Sequence, residues 1–392
     1  MKSVYALALF LAASSAAFAQ DQQVGARTKA MGGSYTAFED DPVSIWLNPA
    51  GIATQPDALT MAYQTYTIYE FDSPPNGGII GTHGEYAWND PAIVPSYLGT
   101  VFQLGTDGNQ AVGFCFVTPF RMKFLWQSVQ STLIPILEDQ VLSRLRTAYA
   151  RDFRFSTEGF FTHLAVGIGL DVSVTNWTHQ EIKDLGMGNG AATITISGTD
   201  MGFGGGAGLL VGLYDNTRNF KVNLGAAWQS KVNYQFTLPQ DLVPLFDWPN
   251  QYQAGMTFYL LDGMPLRVTL DAQFIQWGNA AADSTVAGRD DFENVLNYSL
   301  GMEYRIKVAD SVSVYPRAGL RRFDAPWGDE DNLPAVGPSI LDIRTRDDKF
   351  LIFTFGAGLG WMTESRKARA FDIAFDIGGD TPGFAVSFTM EF

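Results

Sequence analysis

From Ala58 to Phe392 the chain is built from short runs whose hydrophobicity alternates with a period of two. No run after the N-terminus is apolar for the ~20 residues that a membrane-spanning helix needs. Near the C-terminus Phe384, Val386, Phe388, Met390 and Phe392 alternate with Ala385, Ser387, Thr389 and Glu391. Phe371, Ile373, Phe375 and Ile377 alternate with Asp372, Ala374 and Asp376, and Leu266, Val268 and Leu270 with Arg267, Thr269 and Asp271. In the run 296–306, Leu296, Tyr298, Leu300, Met302, Tyr304 and Ile306 face away from Asn297, Ser299, Glu303 and Arg305. Successive strand side chains point to opposite faces, so each run carries one apolar and one polar face. Such sheets bury their edges and separate lipid from water by closing into a barrel.

The runs predict about fourteen strands, centred near residues 64, 98, 114, 151, 168, 203, 228, 256, 271, 299, 316, 355, 372 and 387. Their connections alternate in length. Tight ones fall at Gly105–Asn109, Ser156–Gly159, Asp215–Asn219, Leu261–Pro265, Val308–Asp310 and Thr363–Lys367. Long ones fall at Asp72–Pro91, Arg121–Arg146, Thr178–Gly190, Leu238–Asn250, Asn279–Asp291 and Arg322–Asp347, and a short turn at Gly378–Pro382 joins the final pair. Short turns on one side and long loops on the other is the outer-membrane pattern. Within Gln127–Arg146 the apolar residues fall mostly on one helical face, which predicts a short amphipathic helix there, or two pieces around Pro135.

The segment before the strands differs in kind. Lys2, an apolar run Tyr5–Leu11 and Ala17-Phe18-Ala19 make an export signal over residues 1–19, leaving 392 − 19 = 373 residues from Gln20. Residues 20–57 then read as an irregular, partly apolar plug (hatch). Gly25, Gly32 and Gly33 permit positive φ, Asp40-Asp41-Pro42 opens a turn, and Asn48-Pro49-Ala50-Gly51 forms a second turn, expected to draw Ile45–Asn48 out of helical geometry. The fold class expected is all-β: a transmembrane antiparallel β-barrel over residues 58–392 with the N-terminal plug in its lumen.

Composition bounds the function. A formal net charge of −15 argues against a nucleic-acid partner. The single cysteine, Cys115, excludes an internal disulfide, and His83, His163 and His179 lack metal-ligand spacing with it or one another. Asp372 and Asp376 share a strand face but lie about 13 Å apart, too far for a paired-carboxylate mechanism. The glycine-rich stretches 202–207 and 356–360 are followed by no helix, so they read as thin strand positions where the plug or a neighbour comes close, not as phosphate loops. No catalytic residues, metal site or cofactor are expected.

The segment GARTKAMGGSYTAFEDDPVSIWLNPAG resembles the hatch of the FadL family of outer-membrane transporters for hydrophobic compounds, whose Asn-Pro-Ala motif is matched by Asn48, Pro49 and Ala50, followed by Gly51. The stretches 270–279, 296–306 and 317–327 are similar to that family's second half in order and spacing. The resemblance implies uptake of a hydrophobic small molecule, such as a fatty acid or hydrocarbon, which binds against the hatch before hatch movement opens a path and a gap in the wall lets it out. Phe38, Ile45, Trp46 and Leu47 are then the pocket candidates. Arg267, Asp271, Glu303, Arg305, Arg317 and Arg321 are lumen charges available to a carboxylate head group or to mutual pairing that holds the plug. The hatch is also similar to that of PorV-like proteins, which serve type IX secretion; the alternative is therefore a secretion component with protein partners. The expected surroundings are outer-membrane lipids and the barrel-insertion machinery, for which Phe392 is the candidate signal, and the expected state is a monomer.

Overall fold

The computed structural model describes residues 23–38, 40–65, 94–127, 135–184, 191–234, 247–263, 265–279, 294–324, 349–378 and 383–392. Fifteen antiparallel strands form one sheet: β1 Ala58–Gln64, β2 Val94–Gln103, β3 Gln110–Gln127, β4 Pro135–Arg154, β5 Gly159–Asp184, β6 Ala191–Asp215, β7 Phe220–Gln229, β8 Gln251–Leu260, β9 Leu266–Ile275, β10 Val295–Tyr304, β11 Ile306–Ala309, β12 Val312–Asp324, β13 Lys349–Met362, β14 Ala368–Ile377 and β15 Gly383–Glu391. β10 and β11 both pair with β12 and make one stave, interrupted at Arg305, so the wall has fourteen. Sequence neighbours pair all the way round, and the β1–β15 ladder, with Ala58 opposite Glu391, closes the ring. Closure removes both sheet edges, which a span through lipid requires.

The period-two pattern sorts as expected. Phe353, Phe355, Phe371 and Leu270 stand exposed on the outer face, while Asp372, Ala374, Asp376, Thr269 and Glu303 are buried inside. The start of β1 and the end of β15 lie at the rim with the tight turns, since Ala58 pairs with Val101 at the β2–β3 turn and with Glu391. Exposed Phe155, Phe160 and Phe161 form part of an aromatic girdle at the same rim.

Over 135–146, the described part of the segment read as a helix, the chain is strand. Residues 135–146 lie within β4, paired on one side with β3 and on the other with β5; residues 128–134 fall outside the described set. Leu142, Arg144 and Arg146 are buried while Leu145 is exposed, a period of two. Backbone pairing with two neighbours decides the conformation, and the helical stripe is incidental. For the same reason the supposed long connections Arg121–Arg146 and Thr178–Gly190 are largely strand. β5 and β6, of 26 and 25 residues, far exceed the ~9–11 a strand needs to cross a bilayer. On β6 the exposed residues change from Leu209, Phe203 and Met201 to Thr199, Ser197, Thr195 and Thr193, which marks where the strand leaves the apolar layer. The remaining long connections lie mostly outside the described residues.

Residues 23–38 and 40–57 fill the lumen near the tight-turn rim. They fold as isolated turns: a helical turn Ala26–Ala30, another at Ser44–Leu47, and a 3₁₀ turn Pro49–Ile52. Ile45–Leu47 are therefore helical, contrary to the sequence expectation. Only Asn48, at φ −148°, is extended, because proline restricts the residue immediately before it and no further. Ala26, Ala30, Met31, Phe38, Ile45, Trp46 and Ile52 have no exposed surface.

Candidate functional site at the plug

The plug fits because the wall is thin where it passes. Gly167 of β5 pairs with Gly208 of β6, Gly225 of β7 with Gly255 of β8, and Gly301 of β10 with Gly319 of β12. A Cβ at Gly167 would strike Pro49 and Ala50, at Gly208 the Asn48 side chain, at Gly225 the Thr36 carbonyl, and at Gly301 and Gly319 the Met31–Gly32 backbone. Of the two glycine stretches noted in the sequence, Gly356 meets Ala30 of the plug. Gly202 and Gly204 instead make room for Ser230–Tyr234, the start of the β7–β8 connection, which folds inward over the plug.

The Asn48 turn is tied to itself and to the wall. Its Nδ2 donates to the carbonyls of Thr36 (2.7 Å) and Leu209 (3.0 Å), and its Oδ1 accepts from Ala50 N (3.1 Å). Pro49 supplies the fixed φ at the start of the 3₁₀ turn, and Gly51 packs where a Cβ would meet the Phe38 carbonyl. Two residues before Asn48 lies a second anchor, since the Trp46 carbonyl accepts from Arg146 Nη1 (2.7 Å) and Gln229 Nε2 (3.0 Å).

Arg146 belongs to a fully buried cluster. It forms a two-pronged pair with Asp171, Nε to Oδ1 at 2.6 Å and Nη2 to Oδ2 at 2.7 Å, and Arg144 Nη1 reaches the same Oδ2 at 3.2 Å. Two guanidinium groups thus share one carboxylate. Arg144 stacks on Trp248 at 4.4 Å and lies 5.5 Å from the Trp46 ring, and Trp46 and Trp248 meet edge to face at 6.2 Å. The Tyr234 hydroxyl faces Arg144, but Arg144 Nε and Nη2 make no hydrogen bond of good geometry among the described residues. Two buried cations facing one carboxylate are costly, which sets this cluster apart from ordinary wall packing.

The other end of the plug is held by charge. Arg27 binds both oxygens of Glu303 (2.9 Å each) and both of Asp40 (3.0 and 3.2 Å). Arg267 bridges Asp40 and Glu303, and Arg317 joins Glu303 to Asp372 at 2.6 Å each. Lys29 pairs with Asp376. Asp271 accepts from Tyr35 N, Thr36 N and Thr36 Oγ1 at 2.7 to 2.8 Å. Burial pushes the Asp40 carboxyl up, but the facing Arg267 and Arg27 guanidiniums outweigh it and hold it down at about 2.

Of the sequence candidates, the structure brings Arg267, Glu303 and Arg317 into this one network. Arg321 is buried on the plug's other side, with its guanidinium over Phe323. Arg305 is corrected: it is exposed, at the break between β10 and β11, with Nη2 donating to the Gly263 carbonyl at the rim. The interruption there takes it out of the alternation that Glu303 obeys. Phe38 stacks on Tyr35 at 4.4 Å beneath Arg27, and Ile45 packs where a Cβ on Gly113 would sit, so neither faces the outer side as Trp46 does. Leu47 borders a small cavity on the β8–β12 side. Phe392 is half exposed at the rim, edge to face with Phe102 at 5.8 Å. Sequence reading missed Arg27, Asp40, Arg144, Arg146, Asp171 and Trp248; the alternation of Leu142, Arg144 and Arg146 was the available signal for the second cluster.

A closed fourteen-stave barrel, apolar outside and charged within, with its N-terminal segment folded into the lumen, defines a transmembrane barrel of FadL-like fold. The sequence matches no protein-family model and no curated protein. Among solved structures it is similar to a FadL homologue of Pseudomonas aeruginosa, at 15% identity and TM-score 0.60 over 94% of this chain and 98% of that one. It is similar also to the Ralstonia pickettii toluene transporter TbuX, at 15% identity and TM-score 0.56 over 94% and 98%. The Pseudomonas putida toluene transporter TodX matches at 16% identity and TM-score 0.57 over 94% and 98%. At these identities the likeness is one of fold.

Proposed function

We propose that the protein is a transporter of the outer membrane of a Gram-negative-type bacterium that takes up hydrophobic compounds, long-chain fatty acids in particular, through a lumen gated by residues 20–57. A barrel of fourteen staves would leave an aqueous channel, and a plug of this size closes it, so passage requires the plug to move. The likeness to structures described as toluene transporters supports an apolar cargo. The observation that favours an acid over a neutral hydrocarbon is the Arg144 cluster: two buried guanidiniums for one carboxylate, walled by Trp46 of the plug and Trp248. A carboxylate head group would complete its pairing, and the indoles would take the adjoining chain. Arg146 links the same cluster to the Trp46 carbonyl, so cargo binding and plug position share a residue. A bulge in β3 between Val117 and Phe120, at Thr118-Pro119, supports an exit through the wall beside the plug.

Native mass spectrometry of the detergent-purified protein, offered oleate and toluene, tests this. The expected result is a bound fatty acid whose occupancy falls in Asn48→Ala and in Arg144→Gln, with toluene retained weakly or not at all. A barrel that binds neither compound overturns the proposal, and one that instead retains a protein partner supports the secretion reading.

A further inference from the structure

The first half of the plug is bounded by a cavity on each side. Towards the long-loop side lies a small cavity of about 40 Å³, lined by Tyr35 and Thr36 of the plug and by Asp271, Asn297, Ser299 and Arg321 of the wall. Towards the tight-turn rim lies a vestibule of about 410 Å³, which reaches Arg27 and Asp40 of the plug and Arg267, Arg317 and Asp372 of the wall. The same staves line both. On β9 the inward residues step from Asp271 through Thr269 to Arg267, on β10 from Ser299 through Gly301 to Glu303, and on β12 from Arg321 through Gly319 to Arg317. Four residues of strand separate the two levels, about 13 Å. At the level between them the plug sets Met31–Ser34 against these staves: Gly301 and Gly319 touch Met31 and Gly32, and the Ser34 hydroxyl meets that of Thr269 at 3.1 Å.

We propose that this is a second route through the barrel: a polar conduit along β9, β10 and β12 for ions and small hydrophilic solutes, closed by Met31–Ser34 and locked by Arg27. Charged side chains stand at both of its levels, Asp271 and Arg321 at one and Arg267, Glu303 and Arg317 at the other. On these three staves the inward side chains above and below the partition are carboxylates, guanidiniums and hydroxyls, which can stand in for a solute's hydration shell, and Leu47 on one side and Trp361 and Met362 on the other complete the lining. The lock suits opening. Arg27 is the plug residue that engages Glu303, and the vestibule beside it has room for the side chain and gives the separated charges access to solvent, which lowers the cost of parting them. In the second half of the plug, Ile45, Trp46 and Ile52 are wholly buried, and its bonds to the wall run through the Asn48 amide and the Trp46 carbonyl rather than through an ion pair. The route rests on the plug's packing and not on the identity of any apolar cargo.

Single-channel recording in planar bilayers with potassium chloride tests it, using protein whose folding is checked by heat-modifiable migration. Wild type is expected to be nearly silent, and Arg27→Ala and Glu303→Gln to raise conductance by an order of magnitude or more. In a Cys115→Ala background, Ser299→Cys combined with either opening variant is expected to lose that conductance when a charged thiol reagent is added. Folded variants as tight as wild type overturn the proposal. So does conductance that persists after Ser299→Cys is modified, because current would then be crossing elsewhere. Glu303→Gln keeps the wall isosteric and carries the test where Arg27→Ala fails to fold. Neither result depends on fatty-acid binding, so loss of one proposal leaves the other standing.

Discussion

Asp40 illustrates how single residues fix the plug. Its carboxylate is shared between Arg27 of the plug and Arg267 of the wall, and these guanidiniums hold it ionised down to about 2 against the opposing effect of burial. In an unfolded chain an aspartate titrates near ~3.9. A group whose folded value is depressed adds stability above the unfolded value and loses it as pH falls through the folded one. Wild type should therefore melt higher than Asp40→Asn at pH 5, and the gap should close as the pH falls from about 4 to about 2. Thermal unfolding across that range reads it, and a gap independent of pH would mean that Asp40 acts by packing alone. Arg144 and Arg146 make a contrasting case. They were hidden because a run of leucines around them mimics a helical stripe, and only pairing with β3 and β5 turns both inward.

At the scale of elements, the decisive feature is the match between plug turns and wall glycines. Gly208 meets the Asn48 side chain, and Gly225 the Thr36 carbonyl to which Asn48 Nδ2 donates. Gly208→Val should thus displace the Asn48 turn, break its bonds to Thr36 and Leu209, and cost about 1–3 kcal/mol of overpacking. The barrel, paired by its own backbone, should persist. Limited proteolysis is expected to cut within residues 40–57 of the variant while leaving the barrel band intact; an uncut plug would show that the wall yields instead. Only the glycines of 202–207 and 356–360 were legible in the sequence as thin positions, because a strand interior gains nothing from glycine unless something approaches, whereas Gly208 and Gly225 were not singled out. What approaches each was not legible: Gly356 meets the plug, whereas Gly202 and Gly204 meet the inward β7–β8 connection.

For the whole molecule, closure is the controlling event. β15 pairs with both β14 and β1, and Phe392 ends the closing strand, its amide donating to the Asp57 carbonyl (3.1 Å) and its ring against Phe102. Deleting Phe392 should lower the yield of heat-modifiable barrel in the membrane several-fold while leaving the stability of the barrel that does assemble nearly unchanged, since one half-exposed ring adds little to fourteen paired staves. A parallel loss of melting temperature in the assembled fraction would assign Phe392 a packing role. The sequence alone determined the class of structure: period-two runs without a spanning helix leave a closed barrel as the way to satisfy every backbone group in lipid, and an irregular glycine-rich N-terminus cannot join that sheet. It determined as well that Arg267, Glu303 and Arg317 would face inward, because the pleat fixes faces two residues at a time. Only the tertiary structure decided which charges meet. Arg27 finds Glu303 across 276 positions of chain, Arg146 finds Trp46 across 100, and Arg305 leaves the lumen at a break in its stave. Such contacts depend on the register of fourteen staves and on the depth of the plug, and local periodicity carries neither.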